Sequence, residues 1–294
     1  MLKIIVSGKC IIAGEHAVLR GVPAFAVPVT SKTLELVYLP HAKESSEGIT
    51  TEFGGTHGAD LRMLFSGVMD RALTMTHHTH ADAAGHFQIS SEVPVGAGLG
   101  ASATLCVAVG RFCAYKGWVK DADLQEFCRS LEDLFHGESS GLDIAVALSQ
   151  KGLHFIRGGA RREVNFAWAP NWCISYSGKR GITAECIAKV KALLVSNPTF
   201  AQQIDERMRL AVERSEKALQ ATSEGQLAEL ADALNEACTC FVDWGLAGGD
   251  MGRHLEMLRS QGAIAVKPTG SGNGGFALSL WRSRPPEGLG LISI

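Results

Sequence analysis

Along the first third of the chain apolar and polar residues alternate, the period of strands that bury one face. Leu2–Ser7, Ala24–Val29, Thr33–Leu39 and Phe87–Val93 are the strands this predicts, the last with Phe87, Ile89, Ser91 and Val93 on one side. Residues 41–60 carry Ser, Gly, Glu and Thr without a period and read as an exposed connection. The period then lengthens: Leu61, Leu64, Phe65, Val68 and Met69 predict a helix over Leu61–Met75. Between Asp121 and Phe135 the residues Leu124, Phe127, Cys128, Leu131, Leu134 and Phe135 form an i, i+3, i+4, i+7 stripe, with Asp121 as the expected N-cap. From Trp172 onward strand and helix alternate. Trp172–Tyr176, Ala263–Val266 and Phe276–Trp281 read as strands, and Thr183–Val195, Phe200–Ala221, Gly225–Trp244 and Met251–Arg259 as helices. The expected fold class is α+β in two domains, an N-terminal mixed α/β domain over 1–160 and a C-terminal α+β domain over 161–294.

The segment EVPVGAGLGASATLCVAVG (Glu92–Gly110) runs from a strand through a glycine-rich loop into a charge-free helical run. That order makes an anion cradle. Backbone N–H groups approach a phosphate where no Cβ intervenes, and a helix N-terminus adds about half a positive charge. A nucleotide-binding enzyme is the reading it favours. The loop is neither a Walker A sequence, since no Gly-Lys-Ser/Thr closes it, nor a Rossmann fingerprint, since its glycine spacing differs.

Two acids stand out. Glu132 shares the inner edge of the 121–135 stripe, where a carboxylate is costly unless paired or bound to a cation. A local ion pair at the core boundary explains it as well as a metal does. Asp143 lies alone between a Gly/Ser turn and the apolar run Leu142–Leu148; it is either a functional acid or a helix-start residue favoured by the macrodipole. The tract Thr76-His77-His78-Thr79-His80 invites a metal reading, but no Cys or carboxylate joins it at ligand spacing, so a solvated polar loop is expected.

With 294 residues, 46% apolar and 20% charged, the composition is that of a globular chain able to bury a sizeable core. A net charge of −2 offers no bulk attraction for nucleic acid or an anionic membrane. The uncharged stretch between Glu92 and Arg111 approaches membrane-spanning length, but Pro and Gly crowd its first half, so a buried core helix entered through a loop is expected. No targeting segment is expected either. Eight cysteines without a CxxC pair read as reduced, buried thiols, which suggests a cytoplasmic compartment.

Three segments together resemble the signatures of the GHMP kinases, the superfamily of galactokinase, homoserine kinase, mevalonate kinase and phosphomevalonate kinase. They are SGKCIIAGEHAVLRGVPA (Ser7–Ala24), PVGAGLGASAT (Pro94–Thr104) and KPTGSGNGG (Lys267–Gly275). Gly14-Glu15-His16-Ala17-Val18 and the block HGESSGLDIAVA (136–147) are most similar to mevalonate kinases; galactokinases carry Gly-Glu-His-Thr-Asp at the first place. The resemblance implies a two-domain GHMP kinase fold with the active site in the cleft between the domains. It also implies transfer of a phosphoryl group from ATP to the primary hydroxyl of mevalonate, in the mevalonate pathway of isoprenoid biosynthesis. Another small-molecule kinase of the superfamily, such as a phosphomevalonate kinase, is the alternative, with Lys179 and Arg180 as spare cations; a silent ATP-binding sensor is a remoter one.

Carried over residue by residue, the resemblance makes Asp143 the catalytic base and Lys9 the lysine beside it. Pro94, Gly96, Ala97, Gly98, Leu99, Gly100, Ala101, Ser102, Ala103 and Thr104 form the nucleotide-phosphate loop. Ser102 and Glu132 hold Mg²⁺, and Glu15, His16, Thr183 and Gly272 line the substrate pocket. The implied partners are ATP and mevalonate, with room for a homodimer and no role for nucleic acid or membrane. Ala101 replaces a usual serine, Ser271 and Asn273 stand in a loop normally filled by Ala and Gly, and Phe276 replaces a small residue. Asn273 tolerates positive φ better than most non-glycines, so the loop is expected to survive.

Overall fold

A computed structural model of the chain describes residues 1–41, 48–136 and 140–294; part of the 136–147 block therefore lies outside the described residues. The strands are β1 (Leu2–Ala13), β2 (Ala24–Pro40), β3 (Ile49–Gly54), β4 (Gly85–Ser91), β5 (Leu153–Phe155), β6 (Arg161–Glu163), β7 (Asn171–Tyr176), β8 (Ala265–Thr269), β9 (Phe276–Trp281) and β10 (Ile292–Ser293). The α-helices are α1 (Arg62–Thr76), α2 (Ala101–Tyr115), α3 (Leu124–His136), α4 (Leu142–Ser149), α5 (Thr183–Ser196), α6 (Pro198–Gln220), α7 (Gln226–Asp243) and α8 (Gly249–Ser260). Two compact units draw on separated stretches of chain. The first holds Met1–Gly8, Lys32–Val95 and Gly100–Gln150, the second Lys9–Ser31, Gly96–Leu99 and Lys151–Ile294.

In the first unit β4 pairs antiparallel with β2, Leu34 opposite Ser91, and parallel with β3, Ile49 opposite Gly85. Strand alternation buries Leu34, Leu36, Tyr38, Phe87 and Ile89, which share one core with α1, α2 and α3. Phe112 of α2 stands 4.9 Å from the Tyr38 ring and 5.0 Å from Phe87. Helix α2 packs on both α3 and α4. Gly110 is what allows α3 so close, since a Cβ there would run into Cys128 Sγ.

In the second unit the sheet order is β10-β7-β9-β8, each pair antiparallel. β8 and β9 are buried along their whole length, with α7 against β8 and α8 against both. Helix α6 starts at Asn197, whose Oδ1 accepts from the Phe200 N–H at 3.2 Å, with Pro198 in the first turn. The stretch after Trp281 returns to the body: Leu289 and Leu291 pack on the core of Met251, Leu255, Leu258 and Val266, and β10 adds an edge strand.

Several local expectations are corrected. The two strands predicted between Ala24 and Leu39 are one, β2, which pairs with β5 over Ala24–Ala26 and with β4 over Leu34–Pro40. Strand β3 occupies part of the predicted connection. Asp121 starts a 3₁₀ turn over Asp121–Asp123 and α3 begins at Leu124, so it is not the cap of that helix. Leu134, placed on the buried stripe, is 51% exposed. The histidine tract is the polar loop expected, with His77, Thr79 and His80 exposed: His77 turns left-handed (φ 57°) to cap α1, His78 stacks on Trp118 at 4.1 Å, and His80 pairs with Asp70 at 2.9 Å. Among the described residues no three His, Cys, Asp or Glu are grouped to hold a metal.

Candidate active site

The first unit carries the expected metal and base residues on three mutually packed helices. The chain enters α2 through Gly100, at φ 76°, a conformation that suits glycine. The leading N–H groups of α2 have no partners within the helix and point along its axis, as a phosphate requires. Ser102 is half-buried in the first turn. Thr104 contributes differently from Ser102: its hydroxyl donates to the Ala101 carbonyl at 2.8 Å and is buried. Asp143 is the second residue of α4, after Gly141 at φ 81°, and is half-buried.

Glu132 on α3 is 1% exposed. Burial, with a smaller contribution from the Glu132 charge, pushes the Cys106 thiol of α2 well above its usual range, and α3 packs on α2. Cys106 follows Ser102 by one helical turn on the same side of α2. A carboxylate and a hydroxyl are hard oxygen donors of the kind that suits Mg²⁺, which keeps few protein ligands and takes the rest from phosphate and water. The residues present fit that ion.

The second unit carries Lys9, the middle of the glycine loop, and the substrate residues. Lys9 is 4% exposed on β1, and its N–H donates to the Leu99 carbonyl at 3.0 Å. The loop lies directly on the third motif. Gly98 (φ 93°) faces Gly270 and the Thr269 carbonyl, and a Cβ on Gly275 would collide with the Ala97 carbonyl. Thr269 joins first and third motifs, its hydroxyl accepting from the Ile11 N–H at 3.0 Å. Asn273 adopts φ 54°, so the departure from glycine is accommodated.

Glu15 and His16 occupy a strained turn. His16 has φ 57° and ψ −46°, and the Ala17 N–H donates back to the Glu15 carbonyl at 2.5 Å, a γ-turn of the rare positive-φ kind. Such a conformation costs about 1–3 kcal/mol and persists only where its surroundings hold it. The His16 ring is 9% exposed, between the edges of Phe241 and Trp244, with Nε2 2.9 Å from the Ser271 carbonyl. That carbonyl can only accept, so Nε2 carries the proton, and in the neutral ring Nδ1 is an acceptor. Burial lowers the His16 pKa to about 4, so the ring is neutral at pH 7. Thr183 opens α5 with its hydroxyl 3.5 Å from Ser271 Oγ, and Gly272 is buried against Phe241 and the Leu246 carbonyl. His16, Thr183 and Gly272 are thus brought together around Ser271.

Glu15 is not an open pocket residue. It is 2% exposed and forms an ion pair with Lys267, itself fully buried. Sequence reasoning assigned Lys267 no role; its one signal is a lysine entering an otherwise buried strand. The expected spare cations Lys179 and Arg180 are exposed, Arg180 with its Cδ beside Gly96.

Residues 65–151 match the GHMP kinases N terminal domain. The fold of the chain aligns with the L. major mevalonate kinase in complex with R-mevalonate at a TM-score of 0.79 and 21% identity, over 96% of this chain and 88% of the other. It aligns with the Streptococcus pneumoniae phosphomevalonate kinase at 0.72 and 14% identity, over 96% and 92%. In sequence the chain is similar to the mevalonate kinase of Pyrococcus horikoshii, 26% identical over 94% of this chain and 88% of the relative. No helix among the described residues is long and apolar enough to cross a membrane.

Proposed function

We propose that this chain transfers the γ-phosphoryl group of ATP to the primary hydroxyl of mevalonate, giving 5-phosphomevalonate and ADP in the cytoplasm. The observation that carries the reading is the α2 entrance through Gly100 with Ser102 on its first turn, and the buried Glu132 on α3, the helix packed against α2. Near-full-length similarity to mevalonate kinases supports the choice of alcohol.

Phosphoryl transfer asks for positioning and charge neutralisation more than covalent chemistry. In this reading the Pro94–Thr104 loop binds the nucleotide phosphates through its backbone N–H groups. Ser102 and Glu132 would hold Mg²⁺, which when bound neutralises phosphate charge. Asp143 accepts the proton of the attacking hydroxyl, and Lys9 supplies positive charge for the emerging alkoxide. His16, as a neutral acceptor, orients a substrate hydroxyl, with Thr183 and Gly272 beside it.

The test is ADP release with Mg-ATP against (R)-mevalonate, phosphomevalonate and homoserine. Asp143→Asn should lower kcat by about 10²–10⁴ while nucleotide binding persists. Turnover selective for mevalonate and lost in the variant is the expected result. A variant that keeps most of its turnover sinks the base assignment. Turnover selective for phosphomevalonate would bring Arg180, beside Gly96, into the substrate's site instead.

A further inference from the structure

Lys267 has no part in the chemistry above, yet it is a fully buried lysine in the third motif. Its Nζ donates to Glu15 Oε1 and, at 3.2 Å, to the Ile11 carbonyl, and it lies 5.3 Å from the centre of the Phe241 ring. That ring also meets the His16 imidazole edge-on, 6.1 Å away, and packs on Trp244, which borders His16 at 5.4 Å. Lys267 therefore reaches His16 by two routes, through the residue before it and through the ring beside it.

The turn needs such an anchor. A non-glycine residue at φ 57° does not hold that conformation by local preference. Gly14 cannot yield, since it is pressed against the Ala24 backbone. Among the described residues the buried Glu15 Oε2 has no hydrogen-bond partner, and the carboxylate is held through its other oxygen, on Lys267.

We propose that Lys267 is a positioning residue for the alcohol substrate, fixing the Glu15–His16 turn so that the His16 ring presents one orientation and one tautomer. The substrate part of this rests on the function proposed above; the positioning part does not. Lys267→Met removes the charge at similar length. Glu15→Gln combined with Lys267→Met removes both charges, so that neither is left buried and unpaired.

Two readouts separate the claims. Without substrate, the ¹⁵N signals of the His16 ring should show a single Nε2–H form in the wild type and a mixture in both variants. With substrates, KM for mevalonate should rise about tenfold or more in both variants, while KM for MgATP stays within about twofold. The double variant should regain most of the thermal stability lost by Lys267→Met without regaining mevalonate KM.

An unchanged His16 signature overturns the positioning role, as does a mevalonate KM that recovers together with the melting temperature. Parallel loss of both substrates, or failure of both variants to fold, overturns it in favour of a purely structural pair. Should the wild type turn over no mevalonate, the proposed function fails, and the His16 signature still decides the role of Lys267.

Discussion

Replacing Gly98 by alanine measures how tightly the glycine loop is built. At φ 93° an L-residue costs about 1–2 kcal/mol. The new Cβ would stand 3.1 Å from the Thr269 carbonyl oxygen. That residue has little freedom to recede, because its hydroxyl is bonded to the Ile11 N–H at 3.0 Å and the Ile11 carbonyl at 3.1 Å. Crowding of this kind adds about 1–2 kcal/mol. Together these come to about 2–4 kcal/mol, roughly 30- to 700-fold in an equilibrium constant. Gly117→Ala is the control: it has φ 76° but open space around its Cβ, and it ends α2 far along the chain from the loop. Binding of a non-hydrolysable ATP analogue and thermal melting, measured on both variants, separate strain from nucleotide contact. Gly98→Ala should weaken the analogue by about tenfold or more and Gly117→Ala by no more than about twofold. Equal affinities in the two variants would refute the reasoning.

Beyond the Asp143 and Lys267 variants, two solution properties follow from burial. Because burial lowers His16 to about 4 from an ordinary 6.5, its stabilising contribution is complete above pH 6.5 and lost as pH falls towards 4. It amounts to roughly 3 kcal/mol at most. The melting-temperature advantage of wild type over His16→Asn should shrink between pH 7 and pH 4.5, and a difference independent of pH would contradict the neutral ring. Burial also raises Cys10 to about 11 and Cys113, Cys128 and Cys240 to about 12. The native protein should therefore react slowly with a thiol reagent at pH 8 and show eight thiols once unfolded. Fast labelling before unfolding would mean the buried set opens readily.

The glycine loop was legible because the chemistry leaves little choice: Gly96, Gly98 and Gly100 all take positive φ, and a phosphate cradle tolerates few side chains there. Helices such as α6 and α7 were legible because each must bury one stripe, so their period survives in the residues. Strand β3 was not, because Thr50, Thr51 and Glu52 are exposed and no buried face imposes alternation. The exposure of Leu134 and the 3₁₀ turn at Asp121 depend on how α3 lies on its neighbours, to which local propensity is blind.

For the candidate site the division follows range. The isolated acids Glu132 and Asp143 are visible in the chain, because a charge within an apolar run is anomalous wherever it folds, whereas Glu15 and His16 stand out only through the resemblance of their motif. The sequence itself cannot say whether such a charge is paired. Lys267 meets Glu15 across 252 positions, Thr269 meets Ile11 across 258, and the His16 ring is fixed by Ser271, Phe241 and Trp244. Residue type and spacing encode what a segment can do on its own; which buried charge finds a partner is decided when distant segments share one dry interior, where an unpaired charge is too costly to keep.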